Sequence, residues 1–120
     1  MSHKKILICD DDEGILDMLE LILSETGHQI IAENNSLNVE QILEKEFPDL
    51  ILLDLWMPVM SGDQVLKLVR HNPKTQHLPV IVISASRDGR EIATNAGATD
   101  FLAKPFDMDE LLSKVSTHLA

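Results

Sequence analysis

Residues 50–58 read Leu50-Ile51-Leu52-Leu53-Asp54-Leu55-Trp56-Met57-Pro58, an unbroken aliphatic run that ends on a carboxylate. An aliphatic run without polar alternation is the pattern of a strand covered on both faces, which is how strands of parallel sheets read. Asp54 interrupts that run at Leu53 and Leu55, where an acid must lose part of its hydration. Such a charge costs stability unless it is paired or binds a metal.

Working outward, the same kind of run recurs at Ile6 to Cys9, at His28 to Ala32, at Val80 to Ile83 behind Pro79, and at Thr99 to Ala103. Helical periods fill the gaps. Ile15, Met18, Leu19, Ile22 and Leu23 repeat at three and four before a stop at Gly27. Val39, Ile42, Leu43 and Phe47 make a second stripe, and Val65, Leu66, Leu68 and Val69 a third, opened by Ser61 with Gln64 in a capping-box spacing. The fourth helix is short, with Asp88 and Glu91 as cap candidates and only Ile92, Ala93 and Ala96 facing inward. Met108, Leu111, Leu112, Val115 and Leu119 make the fifth, capped by Asp107 and Glu110. Strands alternating with helices predict right-handed βαβ units, a parallel sheet and helices on both faces. The 120 residues fit one α/β domain.

Composition narrows the function. Aromatic residues are few (Phe47, Trp56, Phe101 and Phe106), so the core must be aliphatic, and apolar residues make up 44% of the chain. The formal charge of −10 argues against nucleic acid or an anionic membrane as partner and suits a metal ion or a basic protein surface. Cys9 is the sole cysteine and reads as a buried structural thiol. No stretch reaches the roughly 20 apolar residues of a membrane span, and the leading Met1-Ser2-His3-Lys4-Lys5 is not a signal peptide, so a cytoplasmic location is expected. The five histidines (His3, His28, His71, His77 and His118) have no metal-binding spacing.

In a doubly wound sheet, ligands bind beyond the carboxyl ends of the strands, where the winding reverses. The first strand leads into Asp10-Asp11-Asp12-Glu13, the third into Asp54, the fourth into Ser84-Ala85-Ser86 and the fifth into Lys104-Pro105-Phe106. The end of the second, at Glu33-Asn34-Asn35, offers little. Each group alone has an ordinary reading: helix-start acids favoured by the dipole, a turn aspartate, a strand-end hydroxyl, an exposed lysine. Four strand ends converging on one sheet edge point instead to a site. Clustered carboxylates repel unless a cation joins them, and an all-oxygen donor set favours a hard ion such as Mg²⁺. One carboxylate can then attack phosphorus, while the ion, the ammonium and the hydroxyl hold the phosphoryl oxygens.

These residues resemble a response-regulator receiver domain of the CheY-like superfamily, the phosphoacceptor half of a two-component system. The resemblance rests on Ile-Leu-Ile-Cys-Asp-Asp at 6–11, Leu-Leu-Asp-Leu-Trp-Met-Pro at 52–58 with Ser61-Gly62 behind it, Ile-Ser-Ala at 83–85, and Gly-Ala-Thr-Asp-Phe-Leu-Ala-Lys-Pro-Phe at 97–106. It implies a flavodoxin-like sheet of order 2-1-3-4-5 with five helices in three layers. It implies Asp54 as phosphoacceptor, with Mg²⁺ or Mn²⁺ held by Asp10, Asp11, Asp54 and the backbone carbonyl of Trp56. Ser84 and Lys104 would bind the phosphoryl oxygens, a cis Lys104–Pro105 bond would aim the lysine inward, and Phe101 would be the switch aromatic that turns inward when Ser84 is drawn to the phosphate. The implied donor is a histidine kinase or histidine phosphotransfer protein. The implied output is a changed surface of the fourth helix, fifth strand and fifth helix, read by an effector protein, an output domain or a second copy of the chain. Phe at 101 removes the hydroxyl of the commoner Tyr, and the fourth helix with its leading loop is short for the family.

Three other readings fit less well. A phosphatase resembling the haloacid-dehalogenase type needs a second acid two places after the acceptor, where this chain has Trp56. A flavin or nucleotide module needs a Gly/Ser/Thr cradle after the first strand, where this chain has four acids. A receiver that serves only as an interaction surface is disfavoured by the full set of phosphorylation residues.

Overall fold

The aliphatic run at 50–54 is the central strand of the sheet. In a computed structural model describing residues 4–119, β3 (Leu50–Asp54) has all five residues buried, as does its neighbour β4 (Val80–Ser84). With β1 (Lys5–Cys9), β2 (Gln29–Glu33) and β5 (Asp100–Ala103) they form a five-stranded sheet in the order β2-β1-β3-β4-β5, every pairing parallel. The helices are α1 (Glu13–Ser24), α2 (Val39–Glu46, after a 3-10 turn at Ser36–Asn38), α3 (Gly62–His71), α4 (Gly89–Ala96) and α5 (Met108–Leu119). Among the described residues no helix is long and apolar enough to cross a membrane.

Strand alternation sorts the core into two layers. Ile6, Ile8, Leu50, Leu52, Ile81 and Ile83 pack against Leu16, Leu19, Leu23, Leu111 and Val115 of α1 and α5. Leu7, Cys9, Ile51, Leu53, Val80 and Val82 pack against Val39, Leu43, Val65, Leu66, Val69 and Ala93 of α2, α3 and α4. The winding therefore reverses between β1 and β3, which opens a crevice at their carboxyl ends.

Four expectations need correction. β2 starts one residue late, at Gln29, because the His28 ring is taken up as acceptor for Lys4 N–H (3.2 Å). β5 starts at Asp100, since Thr99 instead closes on Val80, exchanging a backbone bond at 2.9 Å and accepting Val80 N–H on its hydroxyl at 3.0 Å. Phe47 is not on the buried stripe: it caps α2 in the left-handed region (φ 49°), which turns its ring outward to 70% exposure. Met18, Leu68 and Met108 are exposed because the contact line of each helix runs elsewhere: Leu16, Leu19 and Leu23 in α1; Val65, Leu66 and Val69 in α3; Leu111 and Val115 in α5. The segment 1–3, including His3, lies outside the described residues.

The caps follow the sequence in two places, at α3 and α5, and α1 adds a third. Asp12 accepts from the N–H groups of Gly14 (2.9 Å) and Ile15 (3.2 Å), Gln64 Oε1 from Ser61 N–H (2.9 Å), and Asp107 from Glu110 N–H (2.7 Å). Asp88 makes no such bond to its helix and instead accepts from the Ser86 hydroxyl.

Away from the crevice, two polar clusters hold loops to the sheet. Arg70 donates from Nε to Gly97 O (2.8 Å), from its two terminal nitrogens to Leu78 O (2.7 Å) and Thr99 Oγ1 (3.1 Å), and so ties the end of α3 to the loops before β4 and β5. Asp100 receives Lys114 Nζ at 3.0 Å and His118 Nε2 at 2.9 Å, locking α5 to β5, and also accepts Phe101 N–H at 2.7 Å. Burial works to raise the Asp100 carboxyl, but the bonds from His118, Lys114 and Phe101 outweigh it and hold it at about 2, below its ordinary 3.8. A depressed carboxylate stabilises the fold above its unfolded value and loses that contribution as pH falls through its folded one. The cluster is partly exposed and so screened by solvent; Asp100→Asn is therefore expected to cost on the order of 1 kcal/mol at pH 7, with the gap to wild type closing as pH drops from about 4 to about 2. Urea melts of both proteins across that range check this; a gap independent of pH would contradict it.

Candidate active site

Each strand end that the sequence singled out delivers its group to the crevice. Asp10 follows β1 and is 2% exposed; Asp54 is the last residue of β3 and 6% exposed; Ser84 is the last residue of β4 and buried. Lys104, just after β5, reaches in to place Nζ 3.2 Å from Asp54 Oδ1 and 3.4 Å from Asp10 Oδ2. Asp10, Asp11 and Asp54 each present a carboxylate oxygen, and the three oxygens lie within 4.8 Å of one another.

The backbone fixes these positions. Parallel pairing places Leu55 N–H on Ile83 O (3.1 Å) and Lys104 N–H on Ser84 O (2.9 Å), so the end of the Asp54 strand, the serine and the lysine are in register. Asp10 is aimed by its own neighbour, since its Oδ1 accepts Asp12 N–H at 2.9 Å. Asp12 serves as the α1 cap, and Glu13, in the first turn of α1, is taken up by Asn34 Nδ2 (2.9 Å). The Lys104–Pro105 bond is cis, as expected, and the Ser84 hydroxyl accepts Ser86 N–H at 3.0 Å.

The electrostatics are unbalanced. Burial, and secondarily the Asp10 charge, push the Asp54 carboxyl up to about 6 from an ordinary 3.8, against the opposing pull of Lys104. One ammonium does not neutralise the three carboxylates gathered there. The missing positive charge, with an all-oxygen donor set and one exposed member, Asp11, leaving an open side, fits a hard divalent cation that keeps part of its water. Cys9, beside Asp10, takes no part: burial pushes its thiol up to about 12, and its Sγ lies 3.6 Å from Met57 Sδ.

The loop from Leu55 to Ser61 frames Asp54. Trp56 stands 52% exposed on it. Val59 closes a tight turn in which Met60 N–H meets Pro58 O at 2.8 Å, and it holds φ 68°, a region costly to a β-branched residue. The turn is pinned from a place where the sequence promised little. Buried Ser36, just past β2, donates its hydroxyl to Met60 O at 2.7 Å. Nothing in the local pattern around Ser36 signals that contact, which spans 24 residues. The larger grooves, about 390 Å³ between the end of α2 and the loop from α3 to β4 and about 450 Å³ beside α5, are separate from this crevice.

Comparison with known proteins points to one family. The family model of the response regulator receiver domain matches residues 6–116. Sporulation initiation phosphotransferase F of Bacillus subtilis (strain 168) is 36% identical over 121 residues, covering 99% of this chain and 96% of that protein. The crystal structure of a CheY-like response regulator receiver domain protein from Methanospirillum hungatei JF-1 superposes with a TM-score of 0.89 at 30% identity, covering 98% of this chain and 94% of that one. The receiver domain of sensor histidine kinase PA1611 from Pseudomonas aeruginosa PAO1, with a magnesium ion coordinated in its active site cleft, superposes with a TM-score of 0.91 at 25% identity and covers 98% of both chains. A buried aspartate at the end of the central strand, a lysine upon it and two acids beside it therefore sit in a chain that belongs to the response regulator receiver domain family, the phosphorylation-based switches of two-component signalling.

Proposed function

We propose that residues 1–120 act as one phosphoacceptor domain in which Asp54 takes a phosphoryl group from the phosphohistidine of a sensor kinase or a histidine phosphotransfer protein. The observation that carries this reading is the burial of Asp54 under Lys104 at 3.2 Å, with the oxygens of Asp10 and Asp11 within 4.8 Å. Asp54 oxygen forms a bond to phosphorus as the P–N bond to the donor imidazole breaks, and the departing imidazole nitrogen takes up a proton. Asp10, Asp11, Asp54 and the Trp56 carbonyl are the residues to hold Mg²⁺, or Mn²⁺. Such an ion supplies charge neutralisation at the phosphoryl oxygens.

Lys104 starts on the Asp54 carboxylate and moves to a phosphoryl oxygen once that carboxylate is phosphorylated; the Ser84 hydroxyl gives up its bond from Ser86 N–H and donates to another. Drawing Ser84 toward the anion favours the inward position of Phe101 and alters the α4–β5–α5 surface. That surface then controls an effector protein, an output domain or a second copy of the chain. The exposed indole of Trp56, two residues after the acceptor, modulates the access of water to the acyl phosphate. No acid occupies position 56 to act as a general base, which supports a regulator over a turnover enzyme. The acidic surface and the kind of partner favour a cytoplasmic location without nucleic-acid or membrane binding.

Incubation with acetyl phosphate and Mg²⁺ tests the reading. The expected product carries one phosphoryl group on Asp54, located by borohydride trapping and peptide mass analysis, and EDTA suppresses it. Label on another residue, or label indifferent to EDTA, would defeat the assignment.

A further inference from the structure

The start of α4 is packed against the crevice more closely than its weak sequence pattern suggests. Gly89, the first residue of α4, is buried, and a methyl group built on it would lie 2.9 Å from both Cβ and Oγ of Ser84 and 3.3 Å from Cε1 of Phe101. The serine side chain and the aromatic ring thus meet the helix at one spot, which has no room for a side chain at position 89. The next residue, Arg90, is exposed and lays its guanidinium over the Phe101 ring, 5.0 Å from the ring centroid. Phe101 itself is buried among Val82, Ala93 and the other side chains of that layer.

We propose that Arg90 is a positioning residue for the switch: its guanidinium closes over Phe101 and holds the ring in the buried position that α4 shares with Ser84. This rests on the assignment of Asp54 as acceptor. A contact shifts a two-state equilibrium only by the difference it makes between the states. The Arg90 contact exists with the ring buried and is lost when the ring leaves its slot. Ser84 and Phe101 border the same point of the helix start, so displacement of Ser84 toward an anion on Asp54 frees space beside the ring and favours the same buried ring. Arg90 and the anion therefore stabilise one state, and by linkage each strengthens the other. The arginine also stands outside the crevice, on the solvent face of α4, so a partner that engages its charge would act on the acceptor through the ring.

The test is a titration with beryllofluoride and Mg²⁺, a non-covalent mimic of the phosphoryl group on a carboxylate, followed by the fluorescence of Trp56, the chain's single tryptophan. A cation–ring contact at an exposed site is worth about a twofold to fivefold change in an equilibrium. Arg90→Ala is expected to weaken the apparent affinity by about that factor, and Arg90→Lys to restore most of it. In a Phe101→Leu background, shown folded by circular dichroism, Arg90→Ala should add nothing further. Equal affinity for wild type and Arg90→Ala would overturn the proposal, as would an undiminished Arg90→Ala effect without the ring. A wild-type protein that never saturates would bring down the acceptor assignment itself, and with it this inference.

Discussion

Asp54→Asn is expected to take up no phosphoryl group from acetyl phosphate and, at the same time, to resist urea better than the wild type at neutral pH. Loss of labelling follows from the loss of a nucleophilic oxygen, since an amide oxygen does not form a stable acyl phosphate. The gain in stability follows from burial. The wild-type carboxyl is held at about 6 rather than 3.8 because desolvation and the Asp10 charge both oppose its ionised form. The folded state binds that proton more tightly than the unfolded chain, so wild-type stability falls as pH rises from about 4 to about 6 and then levels. The Asn variant has no such group and should lack that fall. The gap between the two should open across the same interval and reach roughly 1–3 kcal/mol at pH 7. Millimolar Mg²⁺ should narrow it by stabilising the wild type, whose three carboxylates it neutralises, more than the variant. Parallel stability profiles from pH 4 to pH 7, with and without Mg²⁺, would show that the crevice is not electrostatically strained. The strain belongs to the function: a carboxylate fully satisfied by protein cations would be a poor ligand for a metal and a poor nucleophile.

The elements of the fold that were legible from sequence are those whose burial repeats along the chain. The runs at 6–9, 50–53 and 80–83 are strands because every side chain in them is covered, and the three-and-four spacing of Leu19 and Leu23 or Leu111 and Val115 marks a single buried line. The same rule misplaced Met18, Leu68 and Met108, because an aliphatic residue beside the contact line has the right chemistry and the wrong angle. It also missed Leu16, which is buried. Phe47 failed for a different reason: the helix ends one residue earlier, and a left-handed cap redirects the ring whatever its hydrophobicity. The crevice read well because topology alone brings the carboxyl ends of neighbouring parallel strands together, and Asp10, Asp54, Ser84 and Lys104 all stand at such ends. What did not read was contact between distant segments with no periodic signature. Ser36 on the Met60 carbonyl, Arg70 on Gly97 and Thr99, and Arg90 on Phe101 all depend on where the loops come to rest.

Gly62 belongs to that last group, and its substitution should do the most damage to fold and site together. In sequence it is only a small residue behind Ser61. In space it is the point where the first turn of α3 touches the backbone of the acceptor: Gly62 N–H meets Leu55 O at 2.7 Å, and an added Cβ would fall 2.3 Å from Asp54 O and 2.8 Å from Leu55 Cα. Its backbone is not in the left-handed region, so the obstacle is space alone. Neither neighbour is the end of a flexible side chain. Relief requires either α3 to lift, opening the contacts of Val65, Leu66 and Val69 with the sheet, or the end of β3 to shift, moving Asp54 off Lys104. Overpacking of a core costs about 1–3 kcal/mol and occasionally more, and with backbone on the opposing side Gly62→Ala should sit at or above the top of that range. Gly14→Ala is the control. It also sits in a first helical turn, but its Cβ meets only the Asp12 carboxylate at 3.2 Å, and it should change stability by less than about 1 kcal/mol. Urea melts of the two variants measure the difference. If Gly62→Ala keeps its fold, labelling by acetyl phosphate should still drop by about tenfold or more, because a displacement of about 1 Å at a reacting group can cost a hundredfold in rate. A Gly62→Ala protein that melts and labels like wild type would mean that the acceptor backbone has freedom this packing denies it.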